Sequence, residues 1–74
     1  MSLMDKLAIQ KFKFYLMEQL VNQHNVSELE AQRIIAKSAI NKMLKISPEF
    51  VMHYSVEDNA EDIWNEYMGI PIEM

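Results

Sequence analysis

Residues 3–24 read LMDKLAIQKFKFYLMEQLVNQH, a stretch with no glycine and no proline. Ile9, Phe12, Leu16 and Leu20 recur at helical spacing and form one apolar stripe. Leu7, Phe14, Met17 and Val21 form a second stripe beside it, and Lys11, Glu18, Gln19 and Asn22 line the opposite side. The stretch predicts a long helix. Its apolar arc is wider than the ~100° stripe of an ordinary surface helix. Such a helix must be covered on two sides, by two intramolecular neighbours or by one neighbour and a second subunit. The second arrangement predicts a homodimer with Leu7, Phe14, Met17 and Val21, or the Ile9 stripe beside them, near the two-fold.

The rest of the chain follows the same pattern. One Gly and two Pro in 74 residues leave little room for hairpins or a many-stranded sheet. After Asn25-Val26, Ser27-x-x-Glu30 reads as a capping box, and Glu28 and Glu30 suit the positive end of a helix dipole. The helix they open carries Leu29, Ile35, Ala36, Ala39, Ile40, Met43 and Leu44 on one broad face. Arg33, Lys37, Asn41 and Lys45 lie opposite. Ser38 is itself a capping residue, so the pattern also accommodates a break near Lys37-Ser38. Ser47-Pro48-Glu49 starts a short helix through Phe50, Val51 and Tyr54. Ser55-x-x-Asp58 starts a last one with Ala60, Ile63, Trp64, Tyr67 and Met68 on its face, stopped by Gly69 and Pro71. The expected fold is a single all-α domain over residues 1–74, a compact three- to four-helix bundle. Met1-Ser2-Leu3 ahead of a second methionine reads as a vector remnant, with Met4 the expected native start.

The chain resembles a family of short, uncharacterised all-α bacterial proteins, a domain of unknown function. The resemblance is carried by His24-Asn25-Val26-Ser27 with Glu30, by Met52-His53 where that family favours Leu-His, and by Asp62-Ile63 with Tyr67. Lys37-Ser38-Ala39 stands where a glycine turn is expected, and Ser47-Pro48 lies outside the pattern. The resemblance implies a fold and a bacterial source rather than a chemistry. It also implies work beside a partner protein, and a structural His53 between the short helix and the last one.

Composition narrows the function classes. No cysteine is present, which removes disulfides, thiolate zinc sites and cysteine nucleophiles. With no such staples, and no basic-then-apolar leader at the start, a reducing cytoplasm is the expected compartment. The longest uninterrupted hydrophobic run is Phe14-Tyr15-Leu16-Met17, far short of the ~20 residues of a spanning helix, so no membrane role is expected. The net charge of −4 is divided unevenly. Residues 1–46 hold all seven Lys and Arg against four acids, a net of +3, whereas residues 47–74 hold seven acids and no Lys or Arg. That split predicts that the acidic last helix lies near the Arg33–Lys37–Lys45 face.

Candidate chemistry is sparse. His24 and His53 are the only imidazoles, and Ser55 interrupts the spacing of His53 and Glu57 with a cap; a structural metal normally needs four ligands. Ser27, Ser47 and Ser55 all fall at N-caps, where their hydroxyls are committed. Glu57, Asp58, Glu61 and Asp62 could supply a carboxylate pair, yet acids in the first turn of a helix are a standard complement to its dipole. No enzyme, metal or cofactor is expected. Arg33, Lys37, Lys42 and Lys45 could neutralise phosphates, and residues 27–44 faintly resemble a helix-turn-helix. The overall pI near 5.0 and the acidic last third argue against that reading. Seven methionines and the apolar arc favour an adaptable contact surface, and the Ile70-Pro71-Ile72 tail adds apolar surface to it. The expected role is protein–protein interaction, as a homodimer or a small regulatory partner. Its candidate surface is Leu7, Phe14, Met17 and Val21 with Arg33, Lys37 and Lys45. The alternative is a nucleic-acid-binding regulator using the second helix.

Overall fold

The computed structural model describes residues 3–69, with side chains from residue 6 onward. The apolar tail from Ile70 to Met74 and the first two residues lie outside them. Five helices follow one another: α1 (Leu3–His24), α2 (Glu28–Lys37), α3 (Ala39–Ile46), α4 (Pro48–Met52) and α5 (Val56–Met68). The all-α architecture agrees with the sequence. The helix count of three to four does not, because the expected second helix is two.

Local chemistry explains each boundary. Asn25 ends α1 in the left-handed region, at φ 57°, with its amide donating to Val21 O at 3.0 Å. Asparagine tolerates that conformation better than other side chains with a Cβ. Ser27 Oγ accepts from the Glu30 amide at 3.1 Å, one arm of the expected capping box. The Glu30 carboxylate does not return to the cap; it accepts from Tyr67 Oη at 3.2 Å, 37 residues along the chain. Ser55 Oγ accepts from the Asp58 amide at 3.0 Å and opens α5. Ser47 departs from expectation: it precedes Pro48, but its hydroxyl makes no capping bond. Gly69, at φ 76°, stops α5 as a C′ glycine should.

The division between α2 and α3 centres on Ser38, whose side chain is buried. Ser38 Oγ donates to Ile35 O at 2.6 Å and accepts from the Asn41 amide at 3.3 Å. It therefore closes one helix and caps the next. The Ala39 amide, left without a helical acceptor, donates to both carboxylate oxygens of Glu66 at 3.1 Å. An acid from α5 thus sits at the N-terminus of α3, where the helix dipole favours negative charge.

The core is built where α1 meets α2 and α5. Leu16, Met17 and Leu20 pack with Ala31, Ile34 and Ile35 and with Ala60 and Ile63. Phe12, Val21, Val26, Ile40, Val56 and Trp64 surround that cluster, while α3 and α4 bury Leu44 and Val51. The buried faces are narrower than the sequence pattern suggests. Leu29, Ala36 and Ala39 are exposed, so α2 buries only Ala31, Ile34 and Ile35. In α5 the centre of the buried face is Ile63; Trp64 is half-buried at its edge, and Tyr67 and Met68 are exposed. Among the described residues no helix is long and apolar enough to cross a membrane.

Candidate functional site

The two stripes of α1 have different fates. Leu16 and Leu20 of the first are fully buried, and Phe12 packs against the core. In the second, Met17 is buried and Val21 half-buried, but Leu7 and Phe14 stand in solvent, Phe14 with 53% of its surface exposed. Both intramolecular neighbours, α2 and α5, therefore cover α1, yet they leave part of the arc open. Where α1 runs alongside α2 and the start of α3, the uncovered strip becomes a groove of about 400 Å³. Phe14 and Met17 line it from α1, Ile35 and Ala36 from α2, with Lys13 and Asn41 among the polar groups at its margin. Gln32 Nε2 donates to Met17 Sδ at 3.4 Å and closes the floor between the helices. A smaller hollow of about 150 Å³ shares Phe14 and Met17 and runs on towards Val21 and Glu28. Phe14, Met17 and Val21 of the sequence-derived surface thus line one contiguous depression, with Leu7 two turns before Phe14 on the same stripe.

Arg33, Lys37 and Lys45 are exposed, as is Lys42. The α2–α3 joint is one residue, Ser38, whereas the turn of a helix-turn-helix is three to four residues. The acid of α5 that reaches this region is Glu66, and its partner is the backbone amide of Ala39, two residues after Lys37. Glu61 and Asp62 are exposed on α5.

A second cluster forms at the α1–α2 turn. The His24 ring stacks on Trp64 with centroids 3.9 Å apart and planes 5° from parallel, and Trp64 leans on Tyr67 at 5.5 Å. Tyr67 in turn donates to Glu30. The residues around this turn therefore divide the structural work among them. His24 stacks, Asn25 reverses the chain, Val26 packs, Ser27 caps α2 and Glu30 tethers α5. His53, by contrast, is exposed at the end of α4 with its ring edge-on to Tyr54 at 5.5 Å. Among the described residues no three His, Asp or Glu side chains converge.

Two residues that sequence reasoning passed over organise the surface. Asn59 is 5% exposed, and its Nδ2 donates to Val51 O and Ser55 O, both at 3.0 Å, and lies 3.4 Å from Tyr54 O. It holds the α4–α5 turn. A hint exists in the sequence: an Asn four residues after a cap can bond back to its own turn. Glu66 left no such signal, since its partner lies 27 residues away. Compared with protein-family models, curated proteins and solved structures, the chain finds no match in any of the three. Function is therefore read from the chain's own surface.

Proposed function

We propose that this chain is a small helical protein-interaction module that takes an apolar partner segment into the α1–α2 groove, with self-association as its first expected use. The observation that carries this reading is Phe14. It is a large aromatic left half in solvent on the wall of a groove floored by Met17 and Ile35. Contiguous exposed apolar surface on a soluble domain usually marks a contact site, and helix-lined grooves accept apolar anchors at helical spacing. Binding is favoured over catalysis because the groove presents amides, one lysine and apolar side chains, with no nucleophile beside a base. Ser27 and Ser55 are engaged as helix caps. Phe14→Asp tests the reading, since it removes the exposed aromatic without opening the fully buried core. The variant is expected to keep its helical circular dichroism and to lose association in light scattering and in binding assays. A folded variant that associates as the wild type does would overturn the proposal.

The exposed Arg33, Lys37, Lys42 and Lys45 support the alternative of nucleic-acid binding. A gel shift at several salt concentrations separates the two, because phosphate binding weakens steeply with salt.

A further inference from the structure

No glycine or proline imposes the bend between α2 and α3. Residues 27–47 contain neither, yet Ser38 interrupts the helix with an extended backbone, at φ −78° and ψ 156°. Three side chains serve the bend. Ser38 Oγ bridges Ile35 O and the Asn41 amide, Asn41 Nδ2 donates to Ala36 O at 3.1 Å, and the Glu66 carboxylate accepts from the Ala39 amide. In one continuous helix the same backbone groups would pair four residues apart and need none of these side chains. Packing explains why a single copy bends. At 3.6 residues per turn, Ala31, Ile34 and Ile35 would fall about 180° around a straight helix from Ile40, Met43 and Leu44. The first three are buried, Leu44 is buried, and Ile40 packs against the core with Met43 half-buried beside it in sequence. Only a bend at Ser38 brings both sets inward in one molecule.

We propose that Ser38 is a hinge with Glu66 as its latch, and that the straightened form joins two copies by exchange of α3, α4 and α5. The chain is divided for such an exchange. α1 and α2 pack as one hairpin, held at its turn by Asn25 and the Ser27 cap. α3 packs on α4, and the Asn59 amide ties α4 to α5. One residue, Ser38, joins the two halves. Straightened, α2 and α3 form a helix over residues 28–46, ~28 Å long at 1.5 Å per residue. Its two apolar faces then point into two different lobes. In each lobe α5 of one copy packs on α1 and α2 of the other, so Leu16, Leu20, Ile34 and Ile63 keep the same kinds of neighbour. Only a second copy supplies those surfaces. Exchange of an identical element is a low-cost route to a dimer, because the contacts are those of the monomer. The joint is what changes. In the straight helix the Ala39 amide bonds to Ile35 O, and Glu66 has no amide to hold. The inference does not rest on the groove, since the hinge and latch lie apart from Phe14.

Sedimentation of the full chain tests this with two variants, Glu66→Ala and Glu66→Ala combined with Ala39→Pro. Glu66 serves the bent form alone. Loss of a helix N-terminal partner weakens each monomer about fivefold, and two monomers make one dimer, so the dimer association constant should rise ~25-fold. Proline at residue 39 suits the bent form, where that residue opens α3 after an extended Ser38, but it breaks a helix interior. The double variant should return to the monomer. Cross-linking reads the exchange itself. The chain has no cysteine of its own, and the Glu30 and Tyr67 side chains meet between α2 and α5. With Glu30→Cys and Tyr67→Cys added to Glu66→Ala, a short bifunctional maleimide applied to the dimer fraction should link chain to chain and give a covalent dimer on a denaturing gel. A Glu66→Ala variant no more dimeric than wild type would overturn the proposal. So would a dimer that persists with Ala39→Pro, or one whose cross-links stay within a chain; that last result leaves the groove to its own Phe14→Asp test. If the proline variant loses its helical circular dichroism, the cross-link alone decides.

Discussion

Asn59 is where a single atom exchange should matter most. Its amide makes two 3.0 Å bonds, to Val51 O and Ser55 O, in a site 5% exposed to water. Both carbonyls keep a backbone partner without it: Val51 O accepts from the Tyr54 amide and Ser55 O from the Asn59 amide. Removal therefore does not orphan them, and each lost bond counts at its net value of ~1 kcal/mol. Adding about 1 kcal/mol for the small void, Asn59→Ala should cost about 2–3 kcal/mol. That corresponds to a fall in Tm of ~10–20 °C for a domain this size. Asn59→Asp keeps the shape but turns the donor into a charged acceptor facing three carbonyl oxygens. A buried charge left without compensation costs ~3–5 kcal/mol, so at neutral pH this variant should be less stable than Asn59→Ala. Burial and the facing carbonyls must raise the introduced carboxyl above its unfolded value of ~3.9. A raised folded value means that the protonated form favours folding. Its contribution is complete below ~3.9 and is lost as pH rises through the folded value. Urea titrations followed by Trp64 emission at pH 4 to 8 should show the gap between the two variants closing as pH falls. Equal stability of both variants at pH 7, within ~0.5 kcal/mol, would refute the donor role assigned to Asn59.

Burial, capping and backbone conformation set three further expectations. Ile63→Ala should cost ~3–4 kcal/mol and Trp64→Ala only ~2 kcal/mol in the same titrations, the second read by circular dichroism, because Ile63 is enclosed while Trp64 is only partly buried at the edge of the core; the reverse order would move the centre of α5's buried face. Glu66→Ala should lower stability by about 1 kcal/mol, a typical loss for an N-terminal helix partner, with hydrogen exchange accelerated at the first amides of α3. Asn25→Gly should be within ~0.5 kcal/mol of wild type while Asn25→Ala loses about 1 kcal/mol, since only the left-handed backbone at this position distinguishes them.

Much of the fold was legible because its signals are local. Ser27 and Ser55 bond amides three residues on, and Gly69 ends a helix whose apolar positions recur every three to four residues. The candidate groove was half legible. Leu7, Phe14, Met17 and Val21 could be grouped from spacing, because residues on one stripe share one direction. Their burial could not be ranked from spacing. Met17 packs in the core cluster with residues of α2 and α5 while Phe14 lies outside it, and that depends on where the helices cross.

The helical character of the chain, the ends of α1 and α5, the start of α2, and the placing of positive charge early and negative charge late are all written in the order of residues. They follow from interactions within one or two helical turns and from composition. The division of the second helical segment at Ser38 needed the folded molecule. A serine there suits either a cap or a helix interior whose side chain bonds backward, and the Glu66 carboxylate at the Ala39 amide supports the division. Packing likewise turned Glu30 from its own cap to Tyr67, buried the Asn59 amide and left Phe14 and Phe50 uncovered. Each is a choice between partners far apart in the chain. Local propensity weighs a few tenths of a kcal/mol to ~1 kcal/mol per residue, and burial of a whole side chain outweighs it.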